Sequence, residues 1–212
     1  MKRIAIIGAG GFAREILALI NDINHKEPQY EVVGFVDVNK EQNIHGYPII
    51  GTDEELNKTN EPIALVIAVG EPRLKRRIRE KFNNPLISFP TLIHPSVMIG
   101  DIDSVRIGEG CIICAGCILT TDIYIDNFVT INLMCTVGHD TEIKDYASIM
   151  PTCNISGEVV VNQGVYVGTG AKIINQVEIG ENTIVGAGAV VAKSLPANCT
   201  AVGVPAKAIK FH

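Results

Sequence analysis

The sequence predicts an α/β domain followed by an all-β coil, and three observations lead there. Through residues 1–92, short apolar runs alternate with helical patterns, the order that builds a parallel sheet covered by helices. From residue 93 the helical pattern stops and an aliphatic residue returns at every sixth position. The composition suits that second half: the 212 residues include 20 glycines and no tryptophan, and 47% are hydrophobic although only 5% are aromatic. A core built almost without rings must be narrow and filled by aliphatic and small side chains.

The first half reads in order as a small Rossmann-like βαβ domain. Arg3–Ile7 is a strand, Gly8-Ala9-Gly10-Gly11 a turn, and Phe12–Ile23 a helix with Ile16, Leu17, Leu19 and Ile20 on its apolar face. Val32–Val36 is a second strand ending at Asp37. Asp53–Leu56 is a short helix with Asp53 placed to cap it. The unbroken apolar run Ile63–Val69 suits a buried parallel strand, closed by Gly70. Arg73–Phe82 reads as a helix with a basic outer face, and Leu86–Phe89 as a last strand.

The second half obeys a six-residue rule. Counting in sixes from Ile107 to Val191 meets fifteen positions, all Ile, Leu or Val. The residue after each is Gly, Asn, Asp or Ser in nine of the fifteen, types that tolerate tight turns. The fifth position of each hexapeptide is mostly small or β-branched, from Cys111 and Cys117 to Ala189. Such a repeat signals a parallel β-helix. Three hexapeptides close one triangular coil, residues eighteen apart stack, and about five coils are expected. The domains are therefore expected at 1–92 and 93–212.

Charge and cysteine usage narrow the function. The net charge is −5; residues 1–92 carry twelve acidic and twelve basic residues, so the excess lies wholly in the coil. No nucleic acid partner and no membrane insertion are expected. The opening MKRIAIIGAGGF places two basic residues before an apolar run only four residues long, too short for a secretory signal, and a cytoplasmic protein is expected. Cys111, Cys117, Cys135 and Cys153 fall on the small inward slot, where Cys acts as a compact hydrophobe, so no metal site is expected.

Two places carry chemistry. Gly8, Gly10, Gly11 and Phe12 lie in a G-x-G-x-x-A pattern between strand and helix, with Asp37 ending the next strand. Glycines let backbone N–H groups approach a phosphate; the pattern also fits a dinucleotide or a turn without a ligand. His139 is the other. Val137 and Thr141 point inward, which puts His139 outside near a corner, where it is either a solvated surface residue or a base. Its stacking neighbour Gly157 leaves space above the ring.

The combination of these halves, with GAGGFAR at Gly8–Arg14, Phe35-Val36-Asp37, Ala68-Val69-Gly70, Leu92–Pro95, Val137–Asp140, Asn154–Gly157 and Gly203–Lys207, resembles the hexapeptide-repeat bacterial sugar acetyltransferases. These group sialic acid O-acetyltransferases with N-acetyltransferases of nucleotide-linked 4-amino sugars. The resemblance implies a left-handed β-helix, acetyl-CoA as co-substrate, no metal and no NAD. It implies a homotrimer with active sites between subunits, acting on a UDP- or dTDP-linked amino-deoxy sugar for surface glycans. His139 would be the base and Asp140, otherwise a turn residue, its orienter. The nucleotide sugar would meet Gly8, Gly10, Gly11, Phe12, Asp37 and Gly70, with Asn132 either orienting the acceptor or simply turning the chain. Coenzyme A would lie beside Gly157, Thr169, Gly186, Ala187 and Gly188. Relatives often carry a second histidine where this chain has Ser148, so Ser148, the Gly157 N–H or a water would face the oxyanion. O-acetylation of a sialic acid, or a non-catalytic trimeric scaffold or ligand sensor, remains as the alternative reading.

Overall fold

A computed structural model describes residues 1–39 and 43–212. The chain forms two compact units, Met1–Pro95 and Ser96–His212.

The first unit runs β1 (Lys2–Ile7), α1 (Gly11–Lys26), β2 (Tyr30–Val36), β3 (Asn43–Ile44), β4 (Tyr47–Gly51), α2 (Asp53–Leu56), β5 (Ile63–Ile67), α3 (Pro72–Arg79) and β6 (Ile87–Ser88). The sheet order is β3-β4-β2-β1-β5-β6. All neighbours are parallel except β3 and β4. β1 and β5 are central and buried, as their continuous aliphatic runs require. Ala13, Ile16, Leu17, Leu19, Ile20 and Ile23 recur at helical spacing and form the buried stripe of α1. The chain moves from β1 to β2 on one side and later to β5 on the other. The C-terminal ends of these strands therefore part around a crevice.

Three local features depart from the expectation. The β3–β4 hairpin was not legible, because its turn is His45-Gly46, with φ of 49° and 88°, rather than an Asn-Gly pair. Asp53 does not cap α2. Thr52 does: its hydroxyl accepts from the Glu55 N–H at 3.4 Å, and the Glu55 carboxylate accepts from the Thr52 N–H at 2.8 Å. The basic face of α3 is only partly solvated. Lys75 is buried, and the Arg79 guanidinium lies 4.7 Å from the centre of the Phe89 ring while donating to the Phe82 carbonyl.

The second unit is a parallel β-helix of two-residue strands. Three ladders form, represented by Ile112–Ile113, Ile118–Leu119 and Tyr124–Ile125, each pairing with a strand eighteen residues on. The aliphatic residue of every strand from Ile113 to Val191 points inward and is buried. Each contributes on the order of 1.5–3 kcal/mol by leaving water. Ile107, at the open end, is only partly covered. The fifth position is buried throughout, from Cys111 to Leu195.

The corners follow a rule different from the one expected. Every sixth residue from Gly110 to Gly188 has a positive φ, between 54° and 74°, and this is the third residue after the inward aliphatic. The residue directly after the aliphatic is small for another reason. A Cβ on Gly138 would lie 2.6 Å from the Gly157 nitrogen, and one on Gly168 would lie 2.6 Å from the Ala187 nitrogen. Adjacent coils approach there backbone to backbone. The left-handed position itself holds Phe128, Met134, Tyr146 and Thr152 among others, residues with no local preference for it.

All six cysteines are free and buried. The thiols of Cys111, Cys117, Cys135 and Cys153 donate to carbonyls of the coil wall, such as Cys117 to Asn132 at 3.0 Å. Hydrogen bonds with the Cys117 and Cys153 thiols, together with burial, push the Cys135 thiol up. Among the described residues no three His, Cys, Asp or Glu side chains converge as a metal group would need. Ellman's reagent at pH 8 should therefore label none of the cysteines quickly in the native protein and all six after unfolding, read by absorbance.

Candidate active site

The site is built on one corner of the coil. Val137 turns inward, and Gly138 permits contact with the next coil. His139 stands outward, and Asp140 takes the left-handed place at φ 55°. Thr141 then returns to the core, its hydroxyl donating to the Ser156 carbonyl at 3.2 Å. Neighbouring coils pin this turn: the Asp140 N–H donates to the Thr121 carbonyl at 3.3 Å, and the Glu158 N–H donates to the His139 carbonyl at 2.8 Å.

His139 Nδ1 lies 2.8 Å from Asp140 Oδ2. A carboxylate only accepts, so Nδ1 carries a proton, and in the neutral ring the lone pair is then on Nε2. The side chains are 57% and 59% exposed, so the pair is fixed by geometry rather than by burial. Gly157 is in contact with the ring and does not leave the expected free space above it. A Cβ there would lie 2.5–2.9 Å from Nε2, Cε1 and Cδ2 of His139. The imidazole itself fills the space that glycine leaves and covers the Gly157 backbone.

The remaining expected residues divide into separate groups. Thr169, Ala187 and Gly188 are exposed and Gly186 is half-buried, but they occupy the corner that precedes, in each coil, the one bearing His139 and Gly157. Ser148 is wholly buried in the strand Ser148–Ile149, which removes it from the surface where a coenzyme or oxyanion contact was expected. The Asn132 side chain is also buried, and its Oδ1 accepts from the N–H of Leu133 at 2.7 Å.

In the first unit, Gly8 and Asp37 share a cavity of about 470 Å³ at the C-terminal ends of β1, β2 and β5. Gly8 has φ 105°, which only glycine adopts comfortably. Gly10 and Gly11 meet no backbone a Cβ would touch, and they open α1 with Phe12, where first-turn N–H groups lack helical acceptors. Gly70 follows the cavity residue Val69. The sequence reading missed Val38, Glu54, Leu74 and Lys81 in this cavity, although strand ends were the available signal. A larger cavity of about 620 Å³ at the third corner of the coil includes Asp126, Lys144 and Glu178 and none of the expected residues. There burial pushes the Asp126 carboxyl up, and a hydrogen bond to Glu142 raises Lys144.

Fold and corner together define a hexapeptide-repeat transferase with a separate N-terminal βαβ domain. Residues 3–82 match the PglD N-terminal domain and residues 158–193 match the bacterial transferase hexapeptide of six repeats. GDP-perosamine N-acetyltransferase of Escherichia coli is 30% identical over 144 residues, covering 67% of this chain; the alignment spans 64% of that protein. PerB from Caulobacter crescentus, solved with CoA and GDP-perosamine, superposes with a TM-score of 0.85 at 31% identity, covering 99% of this chain and 98% of that one. The acetyltransferase domain of PglB from Neisseria gonorrhoeae gives a TM-score of 0.90 at 29% identity, covering 99% and 100%. The chain belongs to the hexapeptide-repeat bacterial sugar acetyltransferase family.

The packing of His139 on Gly157 is open to a double-mutant cycle. Gly157→Ala should lower stability by about 1–3 kcal/mol in denaturant unfolding, as overpacking does. The loss should largely vanish when His139→Ala is already present, because the ring that meets the new methyl is gone.

Proposed function

We propose that the protein transfers the acetyl group of acetyl-CoA to the amino group of a nucleotide-linked 4-amino-deoxy sugar, by direct attack and without an acyl-enzyme. The observation that carries this reading is the exposed His139, tied through Nδ1 to Asp140, which leaves Nε2 as the ring nitrogen to act as a base. The acceptor nitrogen attacks the thioester carbonyl and forms the new C–N bond. Its proton passes to Nε2 as charge develops, and the C–S bond then breaks. The departing thiolate takes the proton back from the imidazolium, so His139 ends neutral.

The first unit holds the nucleotide in the cavity shared by Gly8 and Asp37, and the coil carries the transfer. The divided coenzyme set supports a trimer. Gly157 lies on the His139 corner, whereas Thr169, Gly186, Ala187 and Gly188 lie on another. Both corners contribute to one site when a second copy brings the latter corner against the former. The Asn132 to Gly188 side of the coil suits such a contact: between Cys114 and Gly188 its outward turn residues carry no charge, and Leu133 and Met134 are exposed. No helix among the described residues is long and apolar enough to cross a membrane.

Thiol release from acetyl-CoA should appear with a nucleotide-linked amino sugar and not with free sialic acids. Release with sialic acid alone would instead establish O-acetylation, and none with any acceptor would establish a scaffold. His139→Ala should cut turnover by ~10²–10⁴-fold with coenzyme binding retained. Asp140→Asn should also reduce kcat, because the amide no longer enforces the Nδ1–H tautomer.

A further inference from the structure

The cavity of the first unit has apolar walls and a polar edge. Val38, Leu74 and Ile78 stand on its walls, and Val38 and Leu74 are 85% and 41% exposed, with their surfaces uncovered. Thr52, Asp53, Glu54 and Lys81 form the edge. Flat faces against apolar side chains and a hydrogen-bonding rim against polar ones are what a nucleobase needs.

The carboxylates around this edge are not equivalent. Asp37 accepts the Asn39 N–H at 3.1 Å. Asp53 holds the Lys81 ammonium at 2.7 Å. Glu55 is occupied by the capping box with Thr52. Glu54 has no hydrogen-bond or ion-pair partner among the described residues, and with Lys81 it also lines the adjoining cavity of about 430 Å³. An uncommitted carboxylate on the polar rim of a slot with apolar walls is a reader of donors.

Resting on the proposed reading of this cavity as the nucleotide site, we propose that Glu54 recognises the base and selects guanine, so that the acceptor is a GDP-linked sugar rather than a UDP- or dTDP-linked one. A carboxylate offers two acceptor oxygens and no donor. The Watson–Crick edge of guanine places N1–H beside the N2 amino group, two parallel donors that such a group receives in bidentate fashion. Uracil and thymine place a single N3–H between two carbonyls, so the second oxygen would face a like partial charge. Adenine and cytosine offer one donor beside an acceptor nitrogen. Lys81, held by Asp53, supplies a donor for O6 of guanine.

Glu54→Gln tests this directly, because its amide turns an acceptor pair into an acceptor and a donor, the complement of N3–H and C4=O in uracil. Titration calorimetry of the full-length protein with GDP and with UDP is the measurement. The wild type should bind GDP ~10–100-fold more tightly than UDP, the worth of one bidentate base contact. Glu54→Gln should remove that preference by weakening GDP while UDP holds or tightens, with an unchanged melting temperature. Equal binding of both nucleotides by the wild type, or tighter binding of UDP, would overturn guanine selection and leave the nucleotide site standing. A Glu54→Gln protein with its GDP preference intact would remove Glu54 from the role. Binding of neither nucleotide would overturn the nucleotide site and this proposal with it.

Discussion

The left-handed residue at every sixth position is the constraint on which the coil depends. Nine of these positions between Asp122 and Asn182 are not glycine, and each costs on the order of 1–2 kcal/mol in local conformation. The cost is met collectively. Each turn brings the next strand onto its ladder, where backbone groups pair with a coil eighteen residues away and one aliphatic side chain enters a dry interior. The turn type is thus imposed by stacking and not by the residue that occupies it, which is why Phe128 and Tyr146 sit there with their rings stacked, centroids 5.4 Å apart.

The same constraint makes the corner that bears His139. Between an inward aliphatic and an inward fifth residue, only three positions face outward, and the last of them is left-handed. Asp140 occupies that left-handed position, which an aspartate tolerates better than most residues, and its carboxylate meets Nδ1 of the preceding His139. The coil above contributes an absence: Gly157 has no side chain where the imidazole must lie. A short-range pair and a contact eighteen residues away hold one ring, and neither requires burial.

Much of this was legible in the sequence because the repeat is strict. The aliphatic series, the inward cysteines and the outward His139 follow from counting in sixes. What escaped the count depended on neighbours. The second hexapeptide position looked like a turn residue but is small because coils touch there, as Gly138 and Gly168 show. Ser148 was expected at the surface, yet its side chain is wholly covered. In the first unit Asp53 looked like a cap because it begins the helical run, and Thr52 supplies the cap because its partner Glu55 stands three residues on. The edge of the first unit's cavity was invisible for a related reason: Val38, Glu54 and Lys81 come from three segments that only the sheet order brings together.

The central claim is that Asp140 holds His139 with its proton on Nδ1 and its lone pair on Nε2. Long-range ¹H–¹⁵N correlation spectra of the imidazoles, recorded above the histidine titration range with His139→Ala for assignment, test this directly. The expected pattern is a protonated Nδ1 and an unprotonated Nε2 for His139, reverting toward the opposite tautomer in Asp140→Asn. A wild-type spectrum with the proton on Nε2 would contradict it, since no base would then face the acceptor.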